Sequence, residues 1–196
     1  MTKRAAEITR ETSETKIRAL LDIEGTGQAQ ISTGVGFLDH MLNLWTRHGL
    51  FDLTLSVRGD LEIDDHHTVE DTGLVLGQAV KQALDDKSGI KRYGTAFVPM
   101  DEALVQVSLD LSGRPYLALD VPLAPVRLGN FSAEMLEDFL RAFAFSAGIT
   151  LHVRLICGRN THHIIEAVFK ALGRALDEAT QLDPRIKGVM STKGTL

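Results

Sequence analysis

The sequence predicts an α/β two-layer sandwich built twice within one chain. Three observations carry this. The motif His-His-x-x-Glu stands at 66–70 and again at 162–166, and blocks on either side of it repeat at nearly the same spacing. Each half alternates short strand-like runs with two amphipathic helical stretches, and 196 residues with 44% apolar content suffice for a packed core.

The repeat is legible block by block. LTLSVR at 53–58 falls on ITLHVR at 149–154 and LGQAV at 76–80 on LGRAL at 172–176, both at a shift of 96 residues. Upstream, LDHML at 38–42 matches LEDFL at 136–140, and ETKIRALLDIEG at 14–25 matches EALVQVSLDLSG at 102–113. The chain thus reads as one domain over 1–196, made of repeats of roughly 1–90 and 91–196.

Each half reads in the same order. Alternation predicts strands over 17–23 and 104–111, with further strand-like sequence at 28–32 and 115–121. Phe37, Leu38, Met41, Leu42 and Trp45 share one helical face, as do Leu136, Phe139, Leu140, Phe143 and Ala147, with Ser132 expected to cap the latter helix. Strands over 53–58 and 149–155 follow. A second helix then closes each half, packed through Val69, Leu76, Val80 and Ala83 or through Ile165, Val168, Leu172, Ala175 and Ala179. All five prolines fall outside these four helices.

Composition removes several function classes. With 21 Lys and Arg against 26 Asp and Glu, the net charge of −5 and the lack of a basic stripe argue against nucleic acid and against an anionic membrane surface. The N-terminal stretch turns polar and acidic rather than apolar, so no signal segment is expected. The longest nearly apolar run, Ala142 to Ile149, is far too short to span a bilayer. The single cysteine, Cys157, excludes an internal disulfide framework and a thiolate cluster, and suits the cytoplasm.

Chemistry must then rest on imidazole and carboxylate. On a helix, residues four apart lie about 40° apart around the axis and adjacent residues about 100° apart. His66 with Glu70, and His162 with Glu166, can each grip one cation, while His67 and His163 point elsewhere. A pseudo-twofold would let each odd histidine complete the other repeat's site, with His40 and Asp138 at matching places as fourth ligands. Imidazole plus carboxylate favours manganese, zinc or iron. His152 in ITLHV reads as a core or edge-strand histidine, and His48 as a helix-end cap or a pocket residue.

The motifs GFLDHML, DDHHTVEDTG, SGRPYL, THHIIEA and STKG give the chain a resemblance, from residue 10 to residue 194, to the imidazoleglycerol-phosphate dehydratase family. The resemblance implies a duplicated ribosomal protein S5 domain 2-like unit and trimers assembling into a homo-24-mer. It also implies two Mn2+ per active site at subunit interfaces. One ion would be held by His40, His67, His162 and Glu166, the other by His66, Glu70, His163 and Asp138, where the family commonly has histidine.

The implied reaction dehydrates imidazole-glycerol phosphate to imidazole-acetol phosphate. Metal ligation of the substrate ring would favour an imidazolate that expels the C3 hydroxyl. Glu14 would be the acid/base, with Asp101 and Glu102 as secondary candidates. The substrate contacts implied are Glu14, His40, Arg47, His48, His66, Glu70, Arg92, Arg114, His162, Lys170, Ser191, Thr192 and Lys193. In an acidic chain, Arg92, Arg114 and Lys193 stand out as the local answer to a phosphate.

Two other readings compete. A dinuclear metallohydrolase would release phosphate, whereas a dehydratase keeps it and yields a ketone. A metal-binding shell protein would assemble without turnover.

Overall fold

The computed structural model describes residues 4–195. In the first half the order is β1 (Ala5–Glu11), β2 (Thr15–Asp22), β3 (Ala29–Ser32), α1 (Gly36–Gly49), β4 (Asp52–Gly59) and α2 (His66–Leu84). The second half repeats it with β5 (Tyr93–Met100), β6 (Ala103–Asp110), β7 (Tyr116–Asp120), α3 (Met135–Ala147), β10 (Thr150–Cys157) and α4 (Thr161–Thr180). Between β7 and α3 it adds a small hairpin, β8 (Arg127–Leu128) and β9 (Phe131–Ser132).

The sheets are equivalent, ordered β1-β2-β4-β3 and β5-β6-β10-β7. In each, three strands pair antiparallel and the last joins in parallel. Register follows the pleat: Ile17, Ala19 and Leu21 of β2 face inward while Lys16 and Arg18 face out, and Ala103, Val105, Val107 and Leu109 do the same in β6. The edge strands β1 and β5 were not among the expected elements. Neither carries a strong apolar alternation, and β5 contains Pro99, whose missing N–H is tolerated on an edge.

Helices cover one face of each sheet, and the two helical layers meet in the middle of the molecule. Glycines set how closely they approach. A Cβ on Gly173 of α4 would lie 2.5 Å from the Trp45 carbonyl oxygen of α1, and one on Gly77 of α2 would lie 2.5 Å from that of Phe143 of α3. Gly77 and Gly173 are repeat partners, as are Trp45 and Phe143, so the two crossings are pseudo-twofold copies. Aromatic mass is buried between the layers, Trp45 of α1 beside Phe51, and Phe139 of α3 beside Phe143 of the same helix and Phe169 of α4.

Two local expectations change. Ser132 does not cap α3, which begins after Glu134; it lies in β9, where its N–H and hydroxyl donate to the buried Asp65 at the start of α2. His152 is neither core nor edge: it stands on the exposed face of an inner strand, its ring 6.1 Å from that of Tyr116. Among the described residues, no helix is long and apolar enough to cross a membrane.

Candidate active site

The N-terminal turns of α2 and α4 present the paired histidines. Asn160 caps α4, its side-chain oxygen accepting the N–H groups of His162 and His163, so the local sequence fixes where both rings emerge. Four residues on, Glu166 is buried on the side of α4 that meets α1, where His40 stands.

Here three predicted ligands converge. Oε2 of Glu166 lies 3.2 Å from Nε2 of His162 and 3.6 Å from Nε2 of His40. Two atoms each about 2.1 Å from one ion are separated by roughly 3.0–3.4 Å at ordinary coordination angles. The His162 spacing falls in this range and the His40 spacing just above it, so the cluster is compatible with a divalent cation in donor type and, with a small closing movement, in spacing. Burial pushes the Glu166 carboxyl up, but the Lys170 ammonium, 2.6 Å from its Oε1, and His162 and His40 outweigh this and hold it below the usual range. One carboxylate oxygen thus engages Lys170 and leaves the other facing the two rings. Phe37 packs edge-on against the His162 ring, with centroids 5.1 Å apart.

The first half's counterpart is more open. Nε2 of His66 is 3.5 Å from Oε2 of Glu70, both side chains about half exposed. Among the described residues the only group of three candidate ligands that closes is His40, His162 and Glu166. Asp138 holds the place on α3 that His40 holds on α1, but its shorter side chain is not drawn into a group with His66 and Glu70.

The two odd histidines each stay with carboxylates of their own half. Asp60 is 3.0 Å from Nδ1 of His67, which raises that imidazole above its usual range, and Glu14 is 3.8 Å from Nε2. Glu102 is 2.7 Å from Nδ1 of His163, and Asp101 is 3.7 Å from its Nε2. The bond to His163 is the main reason the Glu102 carboxyl falls to about 2, helped by the N–H groups of Asn160 and Arg159. Glu14 and Glu102, paired by the repeat, thus occupy different places: Glu102 is tied on both oxygens, while Glu14 borders a hollow of about 290 Å³ shared with Arg58, Asp60 and Glu62.

The expected phosphate contacts lie at the other end. Arg92 directs Nε and Nη2 to Asp110 and Nη1 to the Met190 carbonyl, and Arg114 stands 3.8 Å from the same aspartate. Arg92, Ser191 and Thr192 line a hollow of about 630 Å³ with Arg185 and Lys187, and Lys193 follows in the exposed tail. Arg92 N–H bonds the Ala179 carbonyl near the end of α4. At 1.5 Å per residue, that is roughly 25 Å along the helix from His162. Arg47 and His48 close α1, where burial, then the cations Lys170 and Arg174, lower the His48 imidazole.

Asp60 and Asp65 escaped the sequence reading. Both sit in or just after the loop that follows β4, where no periodicity marks a residue, and the only hint is the density of acids in GDLEIDDHH.

A duplicated α/β chain with an imidazole–carboxylate cluster at the start of its fourth helix defines a class whose chemistry rests on histidine and glutamate. The imidazoleglycerol-phosphate dehydratase family model matches residues 33–176. The chain is 64% identical to an imidazoleglycerol-phosphate dehydratase from Acetivibrio thermocellus over 193 residues, covering 98% of this chain and 99% of that one. It is 59% identical to one from Clostridium botulinum (strain Langeland) over the full length of both. It also resembles the Staphylococcus aureus crystal structure, with a TM-score of 0.83 and 41% identity, covering 91% of this chain and 99% of that one. The Pyrococcus furiosus structure matches with a TM-score of 0.83 and 37% identity, covering 96% and 100%. The chain belongs to the imidazoleglycerol-phosphate dehydratase family, hydro-lyases that carry out a dehydration step of histidine biosynthesis.

Proposed function

We propose that this chain converts D-erythro-1-(imidazol-4-yl)glycerol 3-phosphate into 3-(imidazol-4-yl)-2-oxopropyl phosphate and water, in the cytoplasm, with two Mn2+ per active site. The observation that carries this reading is the convergence of His40, His162 and Glu166 on one ion-sized position in a chain of this family. His66 and Glu70, with His67, His163 and Asp138, are the ligands proposed for the remaining coordination. Residues 1–196 are read as one domain of two repeats.

Bound at these residues, the cations would supply Lewis acidity that favours the imidazolate form of the substrate ring. Lys170 keeps Glu166 ionised and oriented by its contact with Oε1. Glu14, whose side chain remains about half exposed beside His67, acts as acid/base: it delivers a proton to the departing C3 hydroxyl, which leaves as water, and takes the C2 proton, which restores it and leaves the enol. The resulting enol tautomerises to the ketone. Asp101, close to Nε2 of His163, is the secondary candidate for proton handling. Arg92, Arg114, Ser191, Thr192 and Lys193 hold the phosphate, with Arg47 and His48 as further substrate contacts.

The 25 Å along α4 between the metal-type cluster and Arg92 is more than a substrate of so few bonds can bridge. The reading therefore places the phosphate contacts of one protomer beside the histidines of another, as in a homo-24-mer built from trimers, with no nucleic-acid or membrane partner. The test is to supply imidazole-glycerol phosphate and Mn2+ to the purified protein. Formation of the ketone with phosphate retained is expected; release of inorganic phosphate would favour a hydrolase instead.

A further inference from the structure

Asp71 is a buried acid that the proposed chemistry does not use. It lies on α2 one residue after Glu70 and four after His67, so it shares the His67 side of the helix. One carboxylate oxygen accepts the hydroxyl of Thr15, and the other faces Nε and Nη2 of Arg10 at 3.2 and 3.0 Å. Arg10 is in β1 and Thr15 opens β2, so the network grips both ends of the turn that carries Glu14. Within that turn the Thr12 hydroxyl oxygen accepts the N–H groups of Glu14 and Thr15 at 3.1 and 3.0 Å.

The duplication supplies an internal control. Where the first half has Arg10, Thr15 and Asp71, the second has Val98, Ala103 and Ala167, all buried. The fold thus closes around this place with apolar side chains alone, and a buried ion pair is generally no more stable than well-packed apolar residues. The second half's equivalent of Glu14, Glu102, is held by His163 and two backbone N–H groups instead and has no need of such an anchor.

We propose that the Arg10–Asp71–Thr15 network is a positioning device, locking the Glu14 turn in register with the helix that carries His66, His67 and Glu70. The proposal rests on the reading of Glu14 as acid/base. The network touches no substrate; it acts through the placement of Glu14, which the geometry leaves with no side-chain partner closer than His67 at 3.8 Å among the described contacts.

The test transplants the second half's solution, Arg10→Val/Thr15→Ala/Asp71→Ala, into the full-length, Mn2+-loaded enzyme. Thermal midpoint, bound manganese and KM are expected to stay close to wild type. The kcat is expected to fall about 100-fold, the loss that a displacement of about 1 Å can produce. In a Glu14→Gln background the same triple change should cost nothing further. Thr15→Val, which removes one hydroxyl, should lower kcat with bound manganese unchanged, and Thr15→Ser should restore it, a pair that decides the matter if the triple variant does not fold. A wild-type kcat in the triple variant, with Glu14→Gln inactive, overturns the proposal alone. A full 100-fold loss on top of Glu14→Gln overturns it too, since the network would then act elsewhere. Full activity in Glu14→Gln removes the acid/base reading and the proposal with it.

Discussion

Glu102 and His163 are joined through Oε2 and Nδ1 at 2.7 Å, while Oε1 of the same glutamate accepts the N–H groups of Asn160 and Arg159 at 2.8 and 3.2 Å. Both carboxylate oxygens are therefore occupied, and the ring is held with Nε2 3.7 Å from Asp101. A carboxylate on the far nitrogen of a metal-binding histidine fixes its tautomer and orientation. Glu102→Gln offers only one acceptor in place of two. We expect it to weaken Mn2+ binding about 10- to 100-fold in calorimetric titration, with Glu14→Gln leaving that affinity unchanged. Undiminished metal binding with lost turnover would instead make Glu102 a proton carrier.

The helix crossings predict a stability difference. Ala in place of a mid-helix Gly gains about 1 kcal/mol in propensity, but at Gly173 the new Cβ would meet the Trp45 carbonyl oxygen at 2.5 Å. Backbone cannot step aside cheaply, so an overpacking cost of about 1–3 kcal/mol should outweigh that gain and Gly173→Ala should lose up to about 2 kcal/mol net in denaturant unfolding. At Gly36, where nothing lies within 4 Å, the same change should be neutral or slightly stabilising.

Much of this architecture was legible beforehand because it is periodic. The repeat, the four helices and the inner strands follow from apolar spacing, and the pairing of His162 with Glu166 follows from i, i+4 geometry, while the placing of His40 beside them rested on the family resemblance. What stayed hidden depends on loops and on partners distant in sequence. Asp60 reaches His67 from a loop without periodicity. Thr15 and Asp71 are polar residues whose burial, with Arg10 partly covered beside them, becomes visible only when β1, β2 and α2 pack together. The distance from Arg92 to the histidines likewise emerges only once β5 is seen to run alongside α4.

Acid stability offers a prediction away from the site. Asp52 accepts the N–H groups of Thr26 and Gln28 at 2.8 and 2.9 Å, and these bonds, that of Thr26 foremost, hold its carboxyl below the ordinary 3.8. A depressed folded value means its contribution is complete above pH 3.8 and is lost as pH falls through the lower folded value. Asp52→Asn should therefore melt below wild type at neutral pH, and the two melting points should converge as pH falls through the depressed folded value.

The central claim is that the His40–His162–Glu166 cluster of one protomer serves a substrate whose phosphate is held by Arg92, Arg114 and the tail of another. Co-expression of two inactive variants, Glu166→Ala and Arg114→Ala, measures this directly. If sites are shared, mixed assemblies regain up to about a quarter of wild-type turnover, because that fraction of sites draws an intact contribution from each parent. No recovery in assemblies shown to contain both chains would contradict the account.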